Sequence, residues 1–561
     1  MEYKLNDIVI MKKEHPCKTN RFEIVRVGAD IKIKCLNCGR VVMLPRVEFN
    51  KKIDLKLHPA LLLFVLTIII MVVSSVGNIL NLETTYYNVN VVTGELETQV
   101  VTINNLFNRT GLQYLVSSML SNFINFAPLG TLIIGLMGVG VAYKSGFLNA
   151  LFKMITKDKS KKLFTFIVVF LGIISSMFYE VGYVILIPIA AILFMNLGRH
   201  PSIGVCAAFA GISFGHGANL FINGVDNTLI TYTQNATKIL DKNYQVSLSG
   251  NIIFMIFATL LISYLGMVIT EKYIVPKLGR YVPDPDEDEI DLETEVTKKE
   301  KKGVIISVIS TLIVSLIIIY CIIPGLPFSG LFLNLKESTY VAQLFGSGSY
   351  FNQGAVLIFA ALIGFSGLIY GMRIKTIKNN KDLMNCMSYY LKGFSSLLIL
   401  IFFAAQFCLI FKETNIGVFI VVSLSELLGN LQLTGIVLII FTFIIIAIST
   451  IFVPALATKW AILSPVIVPM FMQSSFTPEF AQAVFRAADS SVKGITPLFT
   501  YFVILIGFLQ IYNKKKDVVT LIDTMSLMAP YSIAFSILWL ILILSFYIIG
   551  IPLGFNTGVM L

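Results

Sequence analysis

Charge is scarce in this sequence. Of its 561 residues, 13% are Asp, Glu, Lys or Arg and 56% are hydrophobic. One soluble core cannot bury that much apolar surface, so a water-soluble globular chain is excluded and lipid must cover the remainder. Cysteine is scarce as well: seven scattered residues are too few for a disulfide framework. Three of them, Cys206, Cys321 and Cys408, lie in apolar runs and read as packing residues. No apolar run precedes residue 59, which argues against a cleavable signal peptide and predicts a cytoplasmic N-terminus. Acidic residues are outnumbered, 32 against 43 basic, yet the basic ones form short clusters between apolar runs. That is the positive-inside pattern of a bacterial inner membrane protein, so no nucleic-acid partner is expected for the membrane part.

What is present is a series of long apolar runs, each near the roughly 20 residues that span a hydrocarbon layer about 30 Å thick. Nine crossings are predicted, at 59–78, 111–143, 203–222, 249–275, 304–324, 351–372, 393–411, 480–512 and 529–550. The loop from 79 to 110 holds Glu83, Glu95 and Glu97 without a lysine and is expected outside; the stretch from Lys153 to Lys162 holds five lysines and is expected inside. Basic clusters at 373–381 and 514–516 then fall inside, and the C-terminus outside. Residues 283–302 (acidic, then basic) read as a cytoplasmic linker between transmembrane halves at 56–282 and 303–561.

Residues 1–55 form a separate small β-rich domain in this reading, with strand-like alternation at 21–28 and 29–36. It carries His15, Cys17, Cys35 and Cys38, a donor set for a tetrahedral zinc ion that would staple a domain too short to be stable by burial alone. The alternatives are a reduced barrel in which Cys35-x-x-Cys38 only tightens a turn, or redox chemistry.

Two apolar stretches do not fit simple crossings: 163–197, broken around Ser175 to Glu180, and 437–473, broken at Val453-Pro454-Ala455. Both read as re-entrant hairpins, and each is followed by a helix interrupted by polar and helix-breaking residues, at 211–226 and 486–497. The first hairpin enters from inside and the second from outside, an inverted repeat that brings both tips to mid-membrane. Matched interruptions of this kind mark a transporter site, because irregular backbone at membrane depth must line a cavity or be buried in protein.

Charges at that depth are costly and therefore informative. Glu180 tips the first hairpin; His216, Asn219 and Asp226 lie along the first interrupted helix, where His216 and Asn219 could instead only bridge helices. In the second, Arg486, Asp489 and Lys493 share a helix face at i, i+3 and i+7. A guanidinium is the natural receptor for an organic anion, with Asp489 expected to hold the Arg486 rotamer; a purely structural ion pair is the alternative. Thr458, Lys459 and Trp460 follow the second tip, where Trp460 reads as an aromatic wall for a ring-bearing substrate or as an interfacial belt residue.

At Asn125-Phe-Ala-Pro-Leu-Gly-Thr131, Val181-Gly-Tyr-Val-Ile-Leu-Ile-Pro188, Gly198-Arg-His-Pro201, Phe402-Phe-Ala-Ala-Gln-Phe407 and the stretch from Trp460 to Pro497, the chain resembles the AbgT family of p-aminobenzoyl-glutamate transporters, over about residues 58–555. The resemblance implies a homodimer, nine transmembrane helices with two hairpins per subunit, and ion-coupled import of aminobenzoyl-glutamate or export of aminobenzoate and sulfonamide-like drugs. It also implies transport-critical roles for Asp226, Trp460, Pro478, Arg486, Asp489 and Pro497. The sequence departs from the family pattern at Glu180 (usually aspartate), Ala457 (usually serine) and Lys493 (usually asparagine). Lys493 is therefore expected to stand where a sodium ion would sit. The coupling ion stays open between H+ and Na+, with Glu180, Asp226, Asp489 and Lys493 as the coupling groups. Through His15-Pro-Cys17, Val27-Gly-Ala-Asp30, Lys34-Cys-Leu-Asn-Cys-Gly39 and Val42-Met-Leu-Pro-Arg46, the N-terminal part resembles DUF951, a small bacterial family without known activity.

An enzyme would need a nucleophile and base, or a metal set, at membrane depth, and none is readable. A passive organic-anion channel and a dicarboxylate transporter of the same superfamily are the competing readings.

Overall fold

A computed structural model describes residues 4–28, 30–46, 48–49, 57–89, 96–178, 180–279, 281, 295–346, 348–513 and 518–561. The greater part of the expected linker (283–294) and the basic cluster at 514–516 lie outside the described residues. The chain divides into two units, Met1–His58 and Pro59–Leu561.

The first unit is a four-stranded antiparallel meander, β1 (Ile8–His15), β2 (Thr19–Arg26), β3 (Asp30–Cys35) and β4 (Val41–Pro45). Alternation builds it: Phe22, Ile24, Ile31, Ile33 and Cys35 point inward with Met11 and Phe49, while Lys34 and Val41 face out. Pairing of Ile24 with Ile33 and of Phe22 with Cys35 fixes the register.

The second unit is helical, and among the described residues it has ten helices long and apolar enough to cross a membrane. Seven coincide with predicted crossings: Pro59–Ile79, Arg109–Lys144, Ile252–Leu278, Lys298–Cys321, Tyr350–Ile374, Ser395–Glu413 and Leu521–Ile549. Their outer faces are bare hydrocarbon; along Lys298–Cys321 the residues Ile309, Leu312, Ile313, Leu316 and Ile317 are all exposed, a surface only lipid or another apolar body can cover. The other three are arms of the hairpins. Two predicted crossings, 203–222 and 480–512, are not continuous, because their helices stop at Phe214 and Val492. The loop at 79–110 carries an antiparallel pair, Glu83–Val89 with Leu96–Thr102, whose Thr/Tyr/Val alternation the loop reading passed over.

The inner elements take labels here. In the first repeat α1 (Lys161–Ser175) and α2 (Ile187–Asn196) are the hairpin arms, α3 (Pro201–Phe214) and α4 (Gly224–Thr237) the halves of the interrupted helix. The tip between α1 and α2 holds a single 3-10 turn, Ser176–Phe178, and a π-helical turn, Gly182–Leu186. In the second repeat α5 (Gly435–Phe452) and α6 (Leu456–Gln473) are the arms, α7 (Pro478–Val492) and α8 (Phe502–Ile511) the halves. Both arms of each hairpin pack on the first half of the interrupted helix that follows, α1 and α2 on α3, α5 and α6 on α7. The second half α4 lies against α6 of the other repeat, and α8 against α3, so each repeat completes the other.

Candidate functional site

The two interrupted helices cross where each has lost its regularity. A Cβ on Gly217 would stand 2.6 Å from the Arg486 carbonyl oxygen and from Ser490 Oγ, and one on Gly494 would stand 2.8–2.9 Å from Phe214 and Ser213. Glycine lets the first break meet the backbone of α7 at Gly217 and lets the second break seat the Phe214 and Ser213 side chains at Gly494.

Arg486 is 1% exposed, and its guanidinium pairs with Asp226 of α4 through Nη1 and donates from Nε to the Gly217 carbonyl at 3.1 Å. Asp226 is itself fixed by a capping box, its Oδ2 accepting from the Asn223 N–H at 2.8 Å. This corrects the expectation that Asp489 holds the Arg486 rotamer. Side chains on a helix lean toward its N-terminus, so Arg486 extends away from Asp489 and meets the other repeat instead. Nη2 of Arg486 is buried and has no hydrogen-bond partner among the described residues.

Asp489, fully buried, pairs with Lys459, also fully buried, from the first turn of α6. Lys459 Nζ further donates to Thr450 Oγ1 at 2.6 Å and to the Val453 carbonyl at 3.1 Å, both at the end of α5. In the sequence Lys459 stands out only as a neighbour of the tryptophan; the signal that marks it is a lysine five residues after Pro454, the break in an apolar run. Lys493, expected as the fixed cation, stands 3.9 Å from Asp489 Oδ2, beyond a direct hydrogen bond, with its ammonium 5.5 Å from the Phe499 ring centre.

The remaining expected residues divide. Trp460 is fully buried, tilted against Phe485 at 4.3 Å, and its Nε1 donates to Thr233 Oγ1 of α4 at 2.9 Å. Asn219 closes the first break: its Nδ2 donates to the Ile173 carbonyl at 3.4 Å and its Oδ1 accepts from the N–H groups of Leu220 and Phe221. His216 is buried on the same stretch as Gly217. Glu180 sits half-buried at the first tip, beside the Tyr501 hydroxyl. Pro478 starts α7, two turns from Arg486, and Pro497 lies in the break beside Cys408; both shape backbone and offer no polar side chain.

Three buried bases (Lys459, Arg486 and Lys493) thus face two buried acids (Asp226 and Asp489), an excess of one positive charge suited to an anion. A cavity of about 290 Å³ lies elsewhere, against Ala127–Lys144 and Tyr350–Ile374, with walls such as Met137, Leu357 and Ala361. It is apolar and offers an anion nothing, so the charged crossing is the better candidate.

In the N-terminal unit, ligand atoms of His15, Cys17, Cys35 and Cys38 all lie within 4.8 Å of one another. His15 Nδ1 is 3.1 Å from Cys17 Sγ, which is 3.5 Å from Cys35 Sγ. The residues come from the β1–β2 and β3–β4 turns, held together by Asn37 Nδ2 donating to the Cys17 carbonyl at 2.9 Å. Burial opposes ionisation of Cys35, but the backbone N–H groups of Cys38 and Asn37 and the Cys17 thiol bring it down to about 7. Three thiols and an imidazole at this separation can hold a metal ion.

Two hairpins set against two interrupted, charge-bearing helices define a membrane protein of the carrier class. The chain belongs to the AbgT putative transporter family, whose model matches residues 48–561. The p-aminobenzoyl-glutamate transport protein of Escherichia coli K12 is 30% identical over 498 residues, 89% of this chain and 93% of that protein. Solved structures similar to it include the YdaH transporter of Alcanivorax borkumensis, 30% identical with a TM-score of 0.46 and covering 89% of this chain and 100% of that one. A second is MtrF of Neisseria gonorrhoeae, described with a class of antimetabolite efflux pumps, 34% identical with a TM-score of 0.46 and covering 89% of this chain and 97% of that one. Residues 3–56 match DUF951, a bacterial family of unknown function.

Proposed function

We propose that this chain is a secondary active transporter of small aromatic or organic carboxylates of the p-aminobenzoyl-glutamate kind, ion-coupled and working by alternating access. The observation that carries this reading is the buried Arg486 arm, Nη2, left without a partner among the described residues and set beside an excess of positive charge. A substrate carboxylate accepting from that arm would gain a charge-assisted hydrogen bond. The relative in Escherichia coli, named for p-aminobenzoyl-glutamate transport, supports the substrate class. Import of such a substrate and export of aminobenzoate or sulfonamides use the same alternating states, with direction set by the coupled gradient of H+ or Na+. Asn219 and Trp460 would frame the substrate, with Pro478 and Pro497 shaping the backbone around it. Glu180, Asp226, Asp489 and Lys493 are the ionisable groups offered to coupling.

Counterflow of labelled p-aminobenzoyl-glutamate in proteoliposomes tests it. Saturable counterflow in wild type that falls roughly tenfold to a hundredfold in Arg486→Ala, the worth of one charged hydrogen bond, supports the reading; flux without counterflow would make the protein a channel. A dicarboxylate as the better competitor would shift the substrate class. Homodimer assembly, a cytoplasmic N-terminus and an external C-terminus belong to the same proposal and are read by mass in detergent and by tag accessibility.

The N-terminal cluster suits zinc, which would cross-link the two turns of the meander and make up for its small core. One zinc per chain by elemental analysis, lost in Cys35→Ser/Cys38→Ser, is the expected result.

A further inference from the structure

The second hairpin holds a cation that is part of the chain. Lys459 Nζ has three protons and three acceptors: the Asp489 carboxylate, Thr450 Oγ1 at 2.6 Å and the Val453 carbonyl at 3.1 Å. Thr450 gives its own proton to the Ile446 carbonyl at 2.8 Å, so its lone pairs are free to receive the ammonium. Val453 follows the last residue of α5, where helix carbonyls have lost their partners and the helix dipole is negative. A carboxylate, a hydroxyl and an orphan carbonyl at a half-helix C-terminus are the donors with which interrupted transporter helices coordinate small free cations. The three oxygens already hold an ammonium by hydrogen bonds, so an ammonium ion or a monovalent cation of similar size is the occupant that suits them.

The lysine is also badly placed for any other purpose. It stands in the first turn of α6, where the dipole disfavours a positive charge, and it is wholly buried. The oxygen cage across the break compensates it, together with the Phe485 ring, whose centre lies 5.8 Å from Nζ.

We propose that Lys459 is the resident cation of this cage, closing the second hairpin without a free ion, and that removing its side chain opens a binding site for a small monovalent cation. The residue expected from sequence to take that part, Lys493, is 3.9 Å from the same carboxylate and is the nearest substitute should Lys459 be lost. The test therefore needs Lys459→Ala alone and combined with Lys493→Met.

Thermal unfolding of the purified full chain is followed in choline, sodium, potassium and ammonium chloride at equal ionic strength. Wild type should be indifferent to the choice. The double variant should melt several degrees lower in choline and recover saturably, in the order ammonium, potassium, sodium, by the mass action of a ligand that binds only the folded state. Lys459→Ala alone should show a weaker dependence, because Lys493 can move in. A double variant equally stable in all four salts, or one recoverable in none even when prepared in ammonium, overturns the proposal.

Uptake of p-aminobenzoyl-glutamate by the double variant, restored by ammonium and not by choline, is the second readout, and this arm alone rests on the transporter reading. A wild type that moves none of the tested carboxylates would defeat that reading and leave the unfolding result to decide this one.

Discussion

The two hairpins answer the same problem with different chemistry. Each ends a helix inside the protein and leaves carbonyls that need a donor. In the first, neutral groups serve: Ser176 Oγ and Asn219 Nδ2 donate to the Ile173 carbonyl at 2.7 and 3.4 Å, and no base lies in hydrogen-bond contact with the tip among the described residues. In the second, Thr496 Oγ1 donates to the Ile451 carbonyl at 2.8 Å, and a buried lysine takes Val453 and Thr450 while binding Asp489. A neutral closure tolerates the loss of a partner, whereas a buried charge cannot be left alone. The repeats are alike in path, but the second is the one whose break is closed by a buried charge.

The sharpest break of that comparison is Asp489→Ala. It strands Lys459 and leaves Lys493 without its nearest acid, and should cost about 3–5 kcal/mol, the measured range for removing one partner of a buried pair, with loss of transport; denaturant or thermal unfolding in detergent reads it. A variant within 1 kcal/mol of wild type would show the second closure to be no more charged in effect than the first. Gly217→Ala should come next, at about 1–3 kcal/mol for an overpacked contact, since the Arg486 carbonyl cannot give way without moving α7. Asn219→Ala, which removes one of the neutral donors at the first tip, should cost about 1–2 kcal/mol and leave cation responses unchanged. Thr496→Val should be smallest, near 1 kcal/mol, and its effect should add to that of Asn219→Ala, since the two bonds share no partner.

Much of this architecture is legible in the sequence because its breaks are chemical. Val453-Pro454 must end a helix, and polar residues at 211–226 and 486–497 interrupt runs that hydropathy alone would carry through. The helix Ile416–Asn430 escaped because, at 15 residues, it is short for a span and abuts the hairpin. The pairing of charges was not legible. Spacing places Arg486, Asp489 and Lys493 on one face, but their partners arrive from elements 30 and 260 residues away, and only the crossing at Gly217 and Gly494 decides which acid each base meets. The candidate metal ligands sit at the opposite extreme, because a His-x-Cys and a Cys-x-x-Cys at the ends of adjacent strand pairs are brought together by the turns themselves.

The bond between Arg486 and Asp226 also orders the birth of the protein. The ribosome delivers Asp226 to the membrane 260 residues before its guanidinium exists, and a lone carboxylate there is costly. Until the second repeat inserts, Asp226 has its own capping box to hold it, so the nascent first repeat is a half-built species whose acid must remain near water or be shielded by an insertion factor. A chain stalled between the repeats should be a ready client for membrane quality control, and arrival of α7 is the event that retires it.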